Sequence, residues 1–180
     1  MIRKRILDMI FEGIEYLKNG TAKQLRVHQV LSTNGIFDKL DAFDPVVVGT
    51  IPIGIDLPDS DIDICCSFED EESFVNSVTS CFGDQQGFSI RPSRKSQDHA
   101  LVVRFMIADL DFEIFAQRVP TRQQLAYRHM IVEYKLLKEK GAVFREQVLD
   151  LKREGLKTEP AFAILLGLAG DPYTALLSLE

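Results

Sequence analysis

The order of the predicted elements indicates an α+β fold, in which helices flank a mixed strand–helix–strand core. Three observations carry this prediction. Apolar residues recur at helical spacing over 4–18, short apolar or alternating segments typical of strands occur within 46–117, and helical periodicity returns after residue 121. With 180 residues, 46% of them hydrophobic, the chain is long enough to form one domain with a substantial core.

The N-terminal region is predicted to form a pair of helices. The first covers 4–18 and ends at Asn19 and Gly20, which are typical of a helix C-terminus. Thr21 is a suitable N-cap for the second helix, which is predicted at about 22–32. This helical pair precedes the first strand of the core.

The predicted core combines strands with one helix. Pro45 precedes a short buried strand, and a second strand that bears two aspartates follows an irregular loop containing proline and glycine. The acidic residues at 69–72 suit the first turn of a helix, because negative charge is favourable at a helix N-terminus. The helix then runs to about residue 81. The predicted strands cover 46–49, 61–67, 88–93, 100–107 and 111–117.

Helices are predicted again beyond a soft boundary near Val119 and Pro120. They cover about 122–139, 143–154 and 159–168, and a short one begins near Pro172. We therefore predict a single domain. Within it, 1–118 form the core together with the N-terminal helices, and 119–180 form a C-terminal helical part.

Composition and charge disfavour several classes of partner. The 21 basic and 27 acidic residues give a formal net charge of −6, so the overall field does not attract nucleic acid or anionic membranes. No apolar run is long enough to cross a membrane, and acidic residues interrupt any secretory signal core near the N-terminus. The set Cys65, Cys66 and Cys81 fits neither a disulfide framework nor a zinc site. We predict a cytoplasmic protein.

The most informative segment of the chain contains Asp61 and Asp63. On an extended strand alternate residues share a face, so both carboxylates point the same way, whereas Ile62 and Ile64 point into a core. The flexible, hydroxyl-bearing turn Gly49-Thr50 lies upstream, at the end of an apolar run. Paired carboxylates beside such a turn are what a magnesium-dependent phosphoryl-transfer site requires.

A third carboxylate is available on the last predicted strand. Asp111 and Glu113 share one face of that strand, and Glu113 lies deeper, between two apolar residues. We therefore favour Glu113 and keep Asp111 as the second choice. Asp109 is predicted to be a turn residue.

Two other sites that use an Asp-x-Asp pattern fit less well. A calcium loop beginning at Asp59 would require glycine where Ile64 stands, and the alternation of isoleucine indicates a strand rather than a loop. A phosphatase of the haloacid dehalogenase kind would have its first aspartate at the end of an apolar strand. Here 57–60 precede Asp61 and read as a loop.

The segment 45–117 resembles the signature of the nucleotidyltransferase superfamily that includes DNA polymerase β. In that signature a Gly-Gly or Gly-Ser pair lies shortly before an Asp-apolar-Asp/Glu-apolar motif, and a third carboxylate lies on a later strand. Here Gly49-Thr50, ten further residues and 61–64 take these places. The elements Gly-Thr-Ile-Pro, Ser-Asp-x-Asp-Ile and Phe-Glu-Ile-Phe also resemble a small bacterial family of this superfamily that has no established function.

The resemblance implies a nucleotidyltransferase-like mixed sheet and a metal-dependent reaction. It implies that Asp61, Asp63 and Glu113 are catalytic and bind Mg²⁺ or Mn²⁺, and that Gly49, Thr50 and Ser60 contact the nucleotide. The expected reaction transfers a nucleoside monophosphate from an NTP to a hydroxyl of a small molecule or a protein. The net charge disfavours a nucleic-acid acceptor.

One departure from the superfamily matters for substrate binding. The loop that follows the glycine pair often carries an arginine, but 51–60 contain no basic residue. Phosphate charge must then be neutralised from elsewhere or by metal. The alternative hypothesis is therefore a non-catalytic binding or regulatory module of the same fold, such as a toxin–antitoxin partner.

The predicted helix 122–139 carries further polar candidates. Tyr127 could stack on a base, and Arg122 or His129 could contact phosphate. We expect instead that Tyr127 packs in the core and that Arg122 and His129 face solvent, because isolated residues of these types usually do.

Overall fold

A five-stranded mixed β-sheet forms the centre of the protein. The structure, a computed structural model, describes residues 10–93 and 99–180. The strands follow one another in space in the order β1-β2-β5-β4-β3. Only β2 and β5 pair in parallel among the described strands, and the other neighbours are antiparallel. The strand bounds are β1 Val46–Val48, β2 Ile62–Ser67, β3 Gln86–Pro92, β4 Ala100–Ile107 and β5 Leu110–Gln117.

Six α-helices surround this sheet in the described part of the chain. Short 3₁₀ turns at Glu15–Asn19, Asp41–Phe43 and Thr121–Gln123 connect them with the strands. The α+β fold with flanking helices predicted from the sequence is confirmed. The helix bounds are α1 Ala22–Thr33, α2 Ile36–Leu40, α3 Glu71–Phe82, α4 Leu125–Arg153, α5 Thr158–Leu166 and α6 Pro172–Leu177.

The N-terminal helix predicted at 4–18 differs from the structure. Its first part lies outside the described residues, and within the described part only the 3₁₀ turn Glu15–Asn19 is helical over several residues. Gly13 adopts a φ of 62°, in the left-handed region, which interrupts a right-handed helix at this point. The second helix is confirmed, and Thr21 caps it in a capping box with Gln24.

Helix α4 begins later than predicted and is interrupted where the sequence indicates. Gln124 has extended backbone angles and follows a 3₁₀ turn, so the regular helix begins at Leu125. Gly141 has a φ of 79° and a ψ of −165°, which breaks the helical geometry inside α4. The predicted end near residue 139 and restart near residue 143 reflect this glycine.

The sheet buries a hydrophobic core on each face. Ile62 and Ile64 are fully buried in one core, as the alternation in β2 predicts, together with α1, α2 and α3. Val48 and Cys65 belong to the other core, which the helices α4 to α6 cover. Asp63 therefore shares its alternating face of β2 with Cys65, on the side of the C-terminal helices.

Two of the cysteines lie in the hydrophobic cores. Cys65 and Cys66 are fully buried free thiols, and burial raises the pKa of both. None of the helices in 10–93 and 99–180 combines the length and the hydrophobicity needed to cross a bilayer. The single-domain interpretation, divided at residues 118 and 119, stays a prediction.

Candidate functional site

Three carboxylates lie together at the junction of β2 and β5. Asp61 immediately precedes β2, and Asp63 lies within it. In the parallel pairing of these strands Asp63 and Glu113 are register partners, so their side chains leave the sheet as neighbours. Asp111 is exposed and pairs with Met106 of β4 instead. The structure therefore places Glu113, rather than Asp111, opposite Asp63.

Burial and mutual repulsion disfavour the ionised forms of Asp61 and Asp63. Burial, with repulsion from Asp61 and Glu113, raises the pKa of Asp63 to about 8. Burial and repulsion from Glu113 also raise the pKa of Asp61. Because a cation would relieve both effects, this donor set of carboxylate oxygens fits Mg²⁺ or Mn²⁺, which prefer oxygen ligands.

Arg104 of β4 provides a positive charge beside the cluster. Its Nε donates a hydrogen bond of 2.7 Å to Oε2 of Glu113, and its Nη2 donates to the same oxygen. The two side chains are 53% and 24% exposed, so the pair contributes little to the free energy of unfolding. Arg104 thus engages the third carboxylate in the absence of other ligands.

Gly49 allows the turn after β1 to approach the carboxylates closely. Its φ of 77° lies in the left-handed region. A Cβ atom added there would lie 2.5 Å from Oδ2 of Asp63, which is closer than any ordinary contact. Val48, the preceding residue, is the register partner of Asp63. Glycine is therefore needed here both for the backbone conformation and for space.

Ser60 makes two hydrogen bonds within the described residues, and its predicted contact with nucleotide stays a prediction. Its Oγ accepts a hydrogen bond of 2.8 Å from the backbone N–H of Leu57. Its carbonyl oxygen accepts a hydrogen bond from Lys23. Both contacts stabilise the loop that leads into β2, so the observed contacts of Ser60 are structural.

Basic side chains from distant elements hold the carbonyl groups of the loop 50–60. Lys23 of α1 donates to the carbonyls of 57, 58 and 60. Arg145 of α4 donates to those of 53 and 54, and Lys152 donates to that of Ile55 at 2.6 Å. The sequence analysis missed these anchors, because the contacts join residues more than thirty positions apart.

Two cavities border the carboxylates. The first, of about 280 Å³, lies between the sheet and the C-terminal helices, and Gly49, Thr50, Asp63 and Glu113 line it. The second, of about 510 Å³, lies over β3, β4 and β5, and Asp61 and Glu113 border it. Glu113 lines both, so the cluster stands between two spaces that could hold different reactants.

The first cavity also contains functional candidates that the sequence analysis did not identify. His129 and Glu133 of α4 and Glu159 of α5 line it, opposite the strand residues. The expectation that His129 faces solvent is wrong, since only 6% of this residue is exposed, whereas Tyr127 is buried as expected. The available signal was the spacing of four between His129 and Glu133, which places both on one face of a helix.

Comparison with known protein families identifies the chain. The model of a domain of unknown function, DUF4269, matches residues 29–179. The chain belongs to the DUF4269 family. No curated protein matches the sequence. The match to a DUF4269 model neither supports nor excludes the bacterial family that the sequence resembles, which stays a prediction.

Solved structures show which fold this DUF4269 protein shares. It is similar to the RNA terminal uridylyl transferase Cid1, with 14% identity, a TM-score of 0.53, and coverage of 84% of this chain and 44% of Cid1. A structure of the Cid1 poly(U) polymerase with bound MgGTP gives 13% identity, a TM-score of 0.52, and coverage of 84% and 46%. The structure of the GLD-2/RNP-8 complex gives 16% identity and a TM-score of 0.50, and the match covers 91% of this chain and 61% of that one.

These similarities establish the nucleotidyltransferase fold, as the sequence predicts. At identities of 13 to 16% they establish the fold alone. The chain spans less than half of the Cid1 structures that it matches.

Proposed function

We propose that this protein is a metal-dependent nucleotidyltransferase that transfers a nucleoside monophosphate from an NTP to a hydroxyl acceptor. The observation that carries the proposal is the pairing of Asp63 with Glu113 on adjacent strands, next to Asp61. The turn at Gly49, which approaches the carboxylate of Asp63, adds the element expected to contact phosphate.

The residues of the site have separate roles in this proposal. Asp61 and Asp63 hold the cations, and Glu113 completes the set. The backbone and hydroxyl of Gly49-Thr50 contact the phosphates. When bound, Mg²⁺ or Mn²⁺ supplies charge neutralisation and activation of the attacking hydroxyl. The acceptor oxygen attacks the α-phosphorus, the bond from that phosphorus to the bridging oxygen breaks, and pyrophosphate leaves. Glu113 accepts the proton of the hydroxyl.

The acceptor class is the open part of the proposal. The net charge of −6 favours a small molecule or a protein over nucleic acid. The structural neighbour Cid1, however, is an RNA terminal uridylyl transferase, so the argument from charge finds no support in it. RNA therefore belongs among the acceptors to be tested.

The first test measures pyrophosphate release with each NTP, Mg²⁺ or Mn²⁺, and a panel of small-molecule, protein and RNA acceptors. We expect metal-dependent release with wild type and a loss of at least about 100-fold in Asp61→Asn and Asp63→Asn, because each removes a metal ligand. Asp109→Asn is the matched control, because Asp109 is an exposed carboxylate in the turn before β5 and asparagine tolerates its positive φ, so this variant should retain most activity. Full activity in Asp61→Asn would reject the proposal.

One observation favours the alternative hypothesis of a non-catalytic module. Arg104 already engages Oε2 of Glu113, which lowers the negative charge that this carboxylate offers to a metal. A non-catalytic module would bind nucleotide or a partner chain and release no pyrophosphate. Thermal shifts with an NTP in the absence of any product, under every acceptor condition, would support this alternative.

A further inference from the structure

We infer that His129, Glu133 and Glu159 form a second metal centre, separate from the carboxylates of the sheet, which binds a divalent transition cation such as Zn²⁺. His129 and Glu133 lie one turn apart on α4, and Glu159 lies in the first turn of α5. One ligand atom from each residue lies within 4.8 Å of the other two.

The cluster brings together the donor types and spacing of a metal site. Ligand atoms about 2.1 Å from a shared cation lie roughly 3.4 Å apart in a tetrahedral arrangement. The observed upper limit of 4.8 Å between these atoms is near that spacing. One imidazole nitrogen with two carboxylates suits cations of intermediate softness, such as Zn²⁺, better than Mg²⁺.

An independent observation points to a ligand at this position. His129 is 6% exposed, and its buried Nδ1 atom has no hydrogen-bond partner among the described residues. A buried polar atom without a partner costs free energy, because it has lost its contact with water. A metal ion bound to the imidazole would account for a histidine in this environment.

The position of the cluster bears on how the charge of a bound phosphate is neutralised. The cavity shared with Asp63 and Glu113 has carboxylates and one imidazole as its charged lining groups, and no described lysine or arginine lines it. An NTP entering this cavity needs cations to balance its charge. A cation at the second centre would compensate for the absence of a basic residue in the loop 51–60, a consequence that rests on the proposed function.

The test is a calorimetric titration of metal-free protein with Zn²⁺ in the Asp61→Asn/Asp63→Asn background, without nucleotide. We expect one site per chain. Removing an outer partner of a metal ligand already costs about 10- to 100-fold in affinity, so His129→Ala or Glu159→Gln should cost at least about 100-fold. His28→Ala is the matched control, because His28 is also a buried histidine near a glutamate and lies on α1.

Further measurements keep the outcome unambiguous. Circular dichroism checks the fold of each variant, and His129→Gln, of similar size, replaces His129→Ala if the latter fails to fold. Substitution with Co²⁺ reports the ligand type, and an absorption band typical of thiolate ligation would overturn the inference in favour of a cysteine site. No binding at millimolar Zn²⁺, or unchanged binding in both His129 and Glu159 variants, would also overturn it.

The two proposals fail in different experiments. Zinc binding is measured without nucleotide, so a protein that binds Zn²⁺ but releases no pyrophosphate would retain the second centre and lose the proposed activity. A protein that releases pyrophosphate but binds no Zn²⁺ through His129 would show the reverse.

Discussion

The two acidic clusters that line one cavity differ in how the chain assembles them. Asp61 and Asp63 are two residues apart at the start of one strand, and the neighbouring strand supplies Glu113. The second cluster combines two helices, because His129 and Glu133 lie on α4 and Glu159 lies on α5. The first site follows from local alternation, whereas the second exists only because α4 and α5 pack together.

The clusters also differ in how their charge is balanced. In the first, partly exposed Arg104 pairs with Glu113, while the pKa of Asp63 is raised to about 8. In the second, Glu133 is 3% exposed, and the nearby Lys152 donates its hydrogen bond to the carbonyl of Ile55. Carboxylates therefore repel one another in each cluster. We expect Mg²⁺ to relieve the repulsion in the first cluster and Zn²⁺ to relieve it in the second.

The largest expected effect is on the pH dependence of stability. The pKa of Asp63 rises from 3.8 in the unfolded chain to about 8 in the folded protein, so the folded state binds this proton more tightly. The resulting stability is complete below pH 3.8 and is lost as the pH rises towards 8. In EDTA, Asp63→Asn should remove this loss and raise Tm at pH 8 by roughly 6 to 12 °C, which corresponds to about 3 kcal/mol for a domain of this size.

The same measurement distinguishes the two clusters when Glu133→Gln is the comparison variant. The pKa of Glu133 is also raised, so its contribution to stability is likewise lost as the pH rises. Glu133→Gln should therefore also reduce the fall of Tm with rising pH. Mg²⁺ should restore the stability of wild type more than that of Asp63→Asn. Zn²⁺ should distinguish wild type from Glu133→Gln. An equal change of Tm with pH in wild type and both variants would contradict the inferred repulsion between carboxylates.

A smaller effect is expected when the space beside Asp63 is filled. Gly49→Ala should lower the free energy of unfolding by about 1 to 2 kcal/mol, because it adds strain at positive φ and a contact with the carboxylate. Gly87→Ala is the matched control, since Gly87 has a φ of 71° with nothing within 4 Å of an added Cβ. Urea unfolding measures both, and equal losses would show that the contact with Asp63 is unimportant.

The smallest effect is expected at the ion pair of the first cluster. Arg104→Ala frees Glu113 and removes a positive charge, so Mg²⁺ should bind roughly twofold to fivefold more tightly, equivalent to at most about 1 kcal/mol. Arg153→Ala is the control, because Arg153 pairs with carboxylates of its own helix. Calorimetry measures both. Weaker binding of Mg²⁺ in Arg104→Ala would show that the arginine supports the metal site instead.

Some sequence-based predictions required no tertiary information. The alternation of Asp63 with Ile62 and Ile64 follows from strand geometry, and both isoleucines are buried. The capping residue Thr21 and the break at Gly141 act within one or two turns of chain, so their effects are visible in the sequence. These are interactions between residues close together in the chain.

Other features depended on partners that no local pattern reveals. The predicted first helix did not anticipate the left-handed backbone at Gly13. The hydrogen bond from the backbone of Leu57 to the hydroxyl of Ser60 was not anticipated, and the predicted contact of Ser60 with nucleotide stays a prediction. His129 was expected in solvent, but the packing of α4 against the sheet buries it.

The sequence by itself determined the α+β class, the buried strands and the paired aspartates, because each depends on the spacing of residues along one element. The tertiary structure alone decided that Glu113 faces Asp63, that Lys152 anchors the loop, and that His129 meets Glu159. Those contacts join elements far apart in the chain, and only the free energy of packing the whole core selects which of them meet.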